Sequence, residues 1–379
     1  MSAAGVTLAG VTLARVTLVG MLADGLAGLA AAVVTGLSAL APGDGVDAAR
    51  LMQPDPAPDL QAYHLFVGGD VRTPVPGLIP YSLNTPLFTD YAQKARLLYV
   101  PPGTTLRYAG AGLPDFPVGS VLVKTFSYPA DLRAPTAGVR PVETRLLIRK
   151  PDGWAASTYV WNAAGTDAVL KRAGTRIAIH VVDRTGQPLD IDYGVPNVNQ
   201  CKTCHSVDGR LSPIGPKARN LNGPLDHGPG AENQLAHLSR IGVLAGAPAA
   251  ASIPRTPVWD DLAEPLPERA RAYLDVNCGH CHNPQGFAGN SGLFLDLEQK
   301  DMSAVGVGKR PVAAGRASGG LEFAIAPGDP DHSIIVHRMA STEPGVMMPQ
   351  LGRSLVHAEG LALVRAYVAA MGKGTDPQR

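Results

Sequence analysis

The sequence predicts a multidomain α+β chain: an N-terminal antiparallel β-sandwich-like domain followed by two mainly α-helical units. Three observations predict it. Short β-branched or aromatic runs, bounded by Gly, Pro and Asp, recur between residues 95 and 183. Apolar residues at helical spacing come only later, in 232–244, 267–278 and 357–371. The chain has 379 residues, enough for two or three domains, and its 43 Gly and 34 Pro favour turns and short elements.

Residues 1–41 read as a signal peptide or N-terminal anchor. The uncharged run GLAGLAAAVVTGLSALA (25–41) follows Arg15, and Ala39-Leu40-Ala41 resembles a cleavage site, although Asp24 and Pro42 are awkward there. The run is shorter than the ~20 residues a membrane span needs. Export is therefore expected, with an uncleaved membrane anchor as the alternative. Residues 42–60, rich in Pro and Asp, read as a linker.

Residues 61–195 form the expected β-rich domain. Its candidate strands are 95–100, 104–110, 119–128, 143–150, 156–162 and 177–183, and PDG at 151–153 marks a hairpin. Lys124, Glu143, Arg145, Trp154, Trp161 and Asn162 fall on or beside these strands, where packing and surface roles are the ordinary expectation. Residues 196–257 and 258–379 are the two expected helical units. In the second, PERARAYLDVNC opens a helix with Pro267 in its first turn, and Leu361, Val364, Val368 and Met371 line one face of the closing helix.

Net charge is +1 and no dense Lys/Arg run occurs, so nucleic-acid binding is excluded as a leading function. The four cysteines form two close pairs, CKTCH (201–205) and CGHCH (278–282), each followed directly by His. CxxCH is the attachment motif for haem c. Cys201, Cys204, Cys278 and Cys281 would bind two haems covalently, and His205 and His282 would bind the irons. A zinc ribbon separates its CxxC pairs by ~15–20 residues, far fewer than here. Local disulfides lack a thioredoxin-like context, and neither alternative accounts for the paired histidines.

Sixth ligands are the next question. PGVMMPQLGRS (344–354) precedes the closing helix, and Met348 before Pro349 is the chosen ligand of the second iron, with Met347 the competitor. No Met lies between Met52 and Met302. The first iron is therefore left with His237, His227 or no protein ligand, of which His237 on the helical run is preferred.

From about Gly68 to Met371 the chain resembles a family of exported di-haem c-type cytochromes of unassigned role, ending in a class I cytochrome c domain. The resemblance is carried by IPYSLNTPLFTDYAQKARLLYVPPGT, FPVGSVLVKTFSY, ETRLLI, YVWN, GPKARNLN, NQLAHL, both CxxCH motifs, APGDPDHSIIVHRM and MMPQLGRS. It implies two haem c groups, electron transfer with an unidentified redox partner, and a periplasmic or outer-surface location. It also implies a haem propionate as the partner of Arg338. MPQ stands where such domains more usually have MPP. Two alternatives to an electron carrier stay open: a peroxidase-like di-haem enzyme with an open first haem, and a cytochrome whose β-domain is a docking module.

Overall fold

A computed structural model describes residues 45–372 apart from Pro229; the segment expected to be a signal peptide or anchor lies outside them. Nine strands form between residues 78 and 195: β1 (Leu78–Pro80), β2 (Gln93–Tyr99), β3 (Leu106–Arg107), β4 (Val121–Tyr128), β5 (Arg140–Lys150), β6 (Gly153–Trp161), β7 (Ala168–Leu170), β8 (Thr175–Val182) and β9 (Pro188–Val195). β2, β4, β5, β6 and β8 overlap five of the expected runs, 104–110 shrinks to the two-residue β3, and β1, β7 and β9 fall outside the expected strands. Six of the nine make one antiparallel sheet in the order β1-β2-β4-β5-β6-β7, while β8 and β9 pair only with each other.

The sheet is covered on both faces. Because side chains alternate across a strand, Leu97, Val123, Leu146 and Tyr159 share one face, where they pack against Leu51, Leu60, Tyr63 and Leu65 of the preceding segment. That segment includes α1 (Ala48–Met52). Tyr159 donates its hydroxyl proton to the Ala57 carbonyl at 3.0 Å, so this buried phenol is satisfied.

The opposite face is roofed at its two ends. Phe126, Tyr128 and Val142 pack beneath the β8–β9 hairpin through Ile179, Val181, Ile191 and Tyr193. A register shift after Phe126 turns Val142 into that cluster. Leu98 and Leu122 pack at the other end under Leu221 of α3 (Ala218–Leu221) and under Leu235 and Leu238 of α4 (Gln234–Arg240). Between the two roofs the middle of the face is left to line a cavity.

The expected fold class is corrected here. The chain is built on a six-stranded antiparallel sheet. The residues after 196 do not form two mainly α-helical cytochrome c units. In 196–257 the helices α2 (Val198–Cys204), α3 and α4 run 7, 4 and 7 residues, separated by two-residue and three-residue strands. Pro216 and Pro224 bracket α3, and Gly242 in the left-handed region follows the end of α4. In 258–379 the helices are α5 (Leu266–Leu274), α6 (Met302–Val305), α7 (Ile334–Ala340) and α8 (Ala358–Ala370), joined by long irregular stretches. Helices α5, α7 and α8 share a core that includes Leu274, Val336, Val364 and Val368. Gly360 lets α8 approach α5: a Cβ there would stand 2.3 Å from the Tyr273 ring. Among the described residues no helix is long and apolar enough to cross a membrane.

Candidate functional site

The first motif sits on α2. Asn197 and Gln200 form a reciprocal capping box, each side chain accepting from the other's backbone N–H at 2.9 Å, which starts the helix directly after β9. One helical turn then brings Cys201 and Cys204 onto the same side. His205 is the residue that caps the helix C-terminus. Its Nδ1 lies 2.9 Å from the Ser212 carbonyl, which can only accept. Nδ1 therefore carries the proton and Nε2 keeps its lone pair.

The second motif begins in a π-helical turn, Asp275–Gly279, that continues α5. Such turns are frequent at functional sites. His282 is held in the same way as His205. Ser291 donates its hydroxyl proton to the Ala288 carbonyl at 2.6 Å, so its oxygen accepts from His282 Nδ1 at 3.1 Å. Burial, followed by the charge of Arg338, pushes the His282 imidazole down to about 4, and burial likewise takes His205 to about 4. Both rings are thus neutral with Nε2 unprotonated, the state a metal requires.

The motifs meet in space although residues 205–277 separate their cysteine pairs. Cys204, His280 and Cys281 offer ligand atoms that all lie within 4.8 Å of one another, and Cys281 donates its S–H to the Thr203 carbonyl at 3.5 Å. The Cys281 thiol pulls Cys204 down, and the same contact pushes Cys281 up. Burial pushes the Cys278 thiol up to about 12 and raises Cys201.

Two links fix this meeting. Asp275 accepts from Arg219 Nη2 at 3.0 and 2.8 Å, a pair exposed by only 2% and 5%. The strut 84–92 is the other. Thr85 N donates to Asn220, Phe88 N donates to Asn277, and Asp90 accepts from the backbone of Ser354 and Leu355 at 2.8 Å.

A cavity of about 1110 Å³ lies between the motifs, the uncovered middle of the sheet and the loop 342–354. That exceeds the roughly 300–1,000 Å³ of ordinary small-ligand pockets. Cys201, Cys204 and His205 line it from one motif and Cys278 and His280 from the other. Met347 and Met348 line it from the loop. The complete first set, Cys201, Cys204 and His205, together with a space of this size, fits a haem c group, while the second motif reaches the cavity through Cys278 and His280. Met348 is positioned by its own N–H to the Arg338 carbonyl (3.0 Å) and by Arg353 Nη2 to its carbonyl (2.8 Å).

Other expected site residues lie elsewhere. Cys281 and His282 are part-buried but do not line this cavity, nor does Arg338, which donates Nε to the Val346 carbonyl at 2.9 Å. His237 is also outside the lining. Its Nδ1 contacts Glu232 at 2.6 Å, and its ring stacks on His227 with centroids 3.7 Å apart.

Lys124 and Arg145, expected in packing or surface roles, lie instead on the cavity floor. Arg96, Lys124, Arg145 and Thr158 are direct cross-strand partners on β2, β4, β5 and β6, and all four line the cavity. Burial, then the charges of Arg96 and Arg145, pulls the Lys124 ammonium well below its usual range. The available signal was a basic residue at an inward position of each strand, in ARLLYV, VLVKTFSY and ETRLLI. No family model, curated protein or solved structure matches this chain.

Proposed function

We propose that the chain is an exported di-haem c-type cytochrome that carries electrons through haems attached at Cys201–His205 and Cys278–His282. The observation that carries the reading is that one large cavity is lined by Cys201, Cys204 and His205 of the first CxxCH motif and by Cys278 and His280 of the second, with the Nδ1 of His205 and of His282 hydrogen-bonded to oxygen and Nε2 unprotonated. When bound, each haem supplies a one-electron iron couple. Cys201 and Cys204 would hold one haem, Cys278 and Cys281 the other, with His205 and His282 as their iron ligands. The proximity of Cys204 to Cys281 within the cluster supports side-by-side attachment, which suits relay between the two. Met348 would complete the second iron. The segment 1–41 would direct export to the periplasm, where an unidentified redox partner delivers or takes the electrons.

Haem content tests the reading. The full chain, exported by a host that matures c-type cytochromes, is assayed for haem per polypeptide after conversion to the pyridine complex. Two haems per chain are expected, and one after either cysteine pair is replaced by Ala; a chain without haem refutes it.

One observation favours a second reading. Cys204, His280 and Cys281 could hold a thiophilic metal such as zinc. That reading has three ligands where closed zinc sites use four. It also leaves Cys201, Cys278, His205, His282 and the cavity without a role, so it ranks second. The position of His237 outside the cavity favours an open first haem within the leading reading. Cyanide added to the oxidised protein would then shift the spectrum of one haem only.

A further inference from the structure

The sheet face under the first motif carries an excess of positive charge among the described residues. Arg96 stands opposite Lys124, and Lys124 opposite Arg145, in strict cross-strand register. Like charges directly opposite across strands are destabilising, and a buried cation without a counter-charge is costly. Glu143 pairs with Arg145, accepting its Nε at 2.5 Å and Nη2 at 2.9 Å while also accepting the Tyr193 hydroxyl at 2.6 Å, and at Lys124 its charge is outweighed by burial and the neighbouring cations. Arg96 is 9% exposed; its Nη1 reaches the Lys94 carbonyl at 3.2 Å, and its Nη2 is buried with no partner. Lys124 has no hydrogen-bond partner among the described residues, and its Nζ lies 4.7 Å from the Phe126 ring centroid. The nearby carboxylates are engaged: Asp192 takes Arg176 at 2.6 Å, and Asp90 takes the backbone of Ser354 and Leu355.

We propose that Arg96, Lys124 and Arg145 form an anion cradle on the cavity floor, built to take a carboxylate beside the first CxxCH motif. The carboxylate comes either from a propionate of the first haem or from a small free acid. The propionate source rests on the di-haem reading; the free source does not. On this view the sheet is part of the redox centre. The guest supplies the negative charge that buried Arg96 and part-buried Lys124 lack, and Arg145 with its Glu143 partner fixes the end of the row.

The test uses the full exported chain with its haem content measured first, and the variants Lys124→Gln, Arg96→Gln and Arg96→Lys. Each is redox-titrated, and each is titrated calorimetrically with acetate at constant ionic strength. A form with all four cysteines changed to Ala serves as the unloaded chain. With a propionate in the cradle, K124Q shifts the reduction equilibrium of one haem about tenfold toward the oxidised form, 59 mV for one electron. R96K then holds its potential closer to the parent than R96Q, and acetate binds the unloaded chain only. With a free acid as guest, acetate binds the loaded chain, and K124Q and R96Q each weaken it about tenfold. The proposal is overturned if acetate binds neither form and both haem potentials stay put in K124Q and R96Q. A chain that carries no haem sinks the di-haem reading but leaves the cradle testable. Acetate binding that is weakened by both variants then supports it, and no binding overturns it. Because K124Q relieves repulsion, the unloaded variant should melt no lower than its parent; a lower melt would mean that Lys124 serves the fold alone.

Discussion

Replacing Asp275 by Asn tests the link that holds the second motif against the first. The carboxylate is 2% exposed and accepts two hydrogen bonds from Arg219 Nη2, at 3.0 and 2.8 Å, with Lys217 Nζ at 3.5 Å. Asparagine keeps the volume and can still accept from Leu297 N, now at 3.3 Å. What it removes is the charge facing a guanidinium that is only 5% exposed. Breaking a buried pair from one side costs about 3–5 kcal/mol. Arg219 retains Glu298 at 2.7 Å, but that carboxylate is 57% exposed and compensates only in part, so the lower end, about 3 kcal/mol, is expected. At roughly 2 °C per kcal/mol for a chain of this size the melting temperature should fall by roughly 6 °C. Circular dichroism and urea denaturation followed by tryptophan fluorescence would measure it. Exchanging both residues for apolar ones, Arg219→Met with Asp275→Leu, should recover most of the loss, because neither charge is then stranded. A D275N midpoint within about 0.5 kcal/mol of the parent would refute the idea that this pair positions the motif.

Other outcomes follow from the same geometry. Met348→Ala should shift one haem toward the oxidised form by at least tenfold, about 59 mV, and abolish its Met-to-iron absorption band; redox titration with optical spectra checks it, and an unchanged band would transfer the role to Met347. Cys201→Ala with Cys204→Ala should leave one haem whose spectrum is that of the Met-ligated site. Burial, which dominates over the Glu359 charge, lowers the His357 imidazole to about 4 against 6.5 in the open chain. Between those values the unfolded chain binds the extra proton, so His357 lowers stability as pH falls from 6.5 to 4, by on the order of 2–3 kcal/mol. His357→Gln should flatten that part of the stability–pH curve, and an unaltered slope would place the acid sensitivity elsewhere.

Local patterns were legible in the sequence and global ones were not. Runs of β-branched, aromatic and aliphatic residues between turn formers mark 119–128 and 143–150 as β4 and β5, and 357–371 marks α8 by its apolar spacing. The fold class failed after residue 196, where four-residue and seven-residue helices stand in place of two helical units. Periodicity there described short stretches truthfully but could not say that Pro and Gly would keep them from extending. The cysteines and histidines of the motifs were readable because chemistry fixes their spacing. The approach of Cys204 to Cys281 was not, since it depends on Arg219 meeting Asp275 and on the strut 84–92, both non-local. Lys124 and Arg145 were left to surface and packing because a charge on a strand usually faces water. Here they face a cavity left between two roofs contributed by distant segments, and no local pattern reveals that.

The central claim is most directly tested by the intact mass of the purified, exported and fully denatured polypeptide. Two covalently retained haems should appear, falling to one when either cysteine pair is replaced. An unmodified polypeptide mass, with zinc or another metal recovered from the native protein, would contradict the account and favour a site on Cys204, His280 and Cys281.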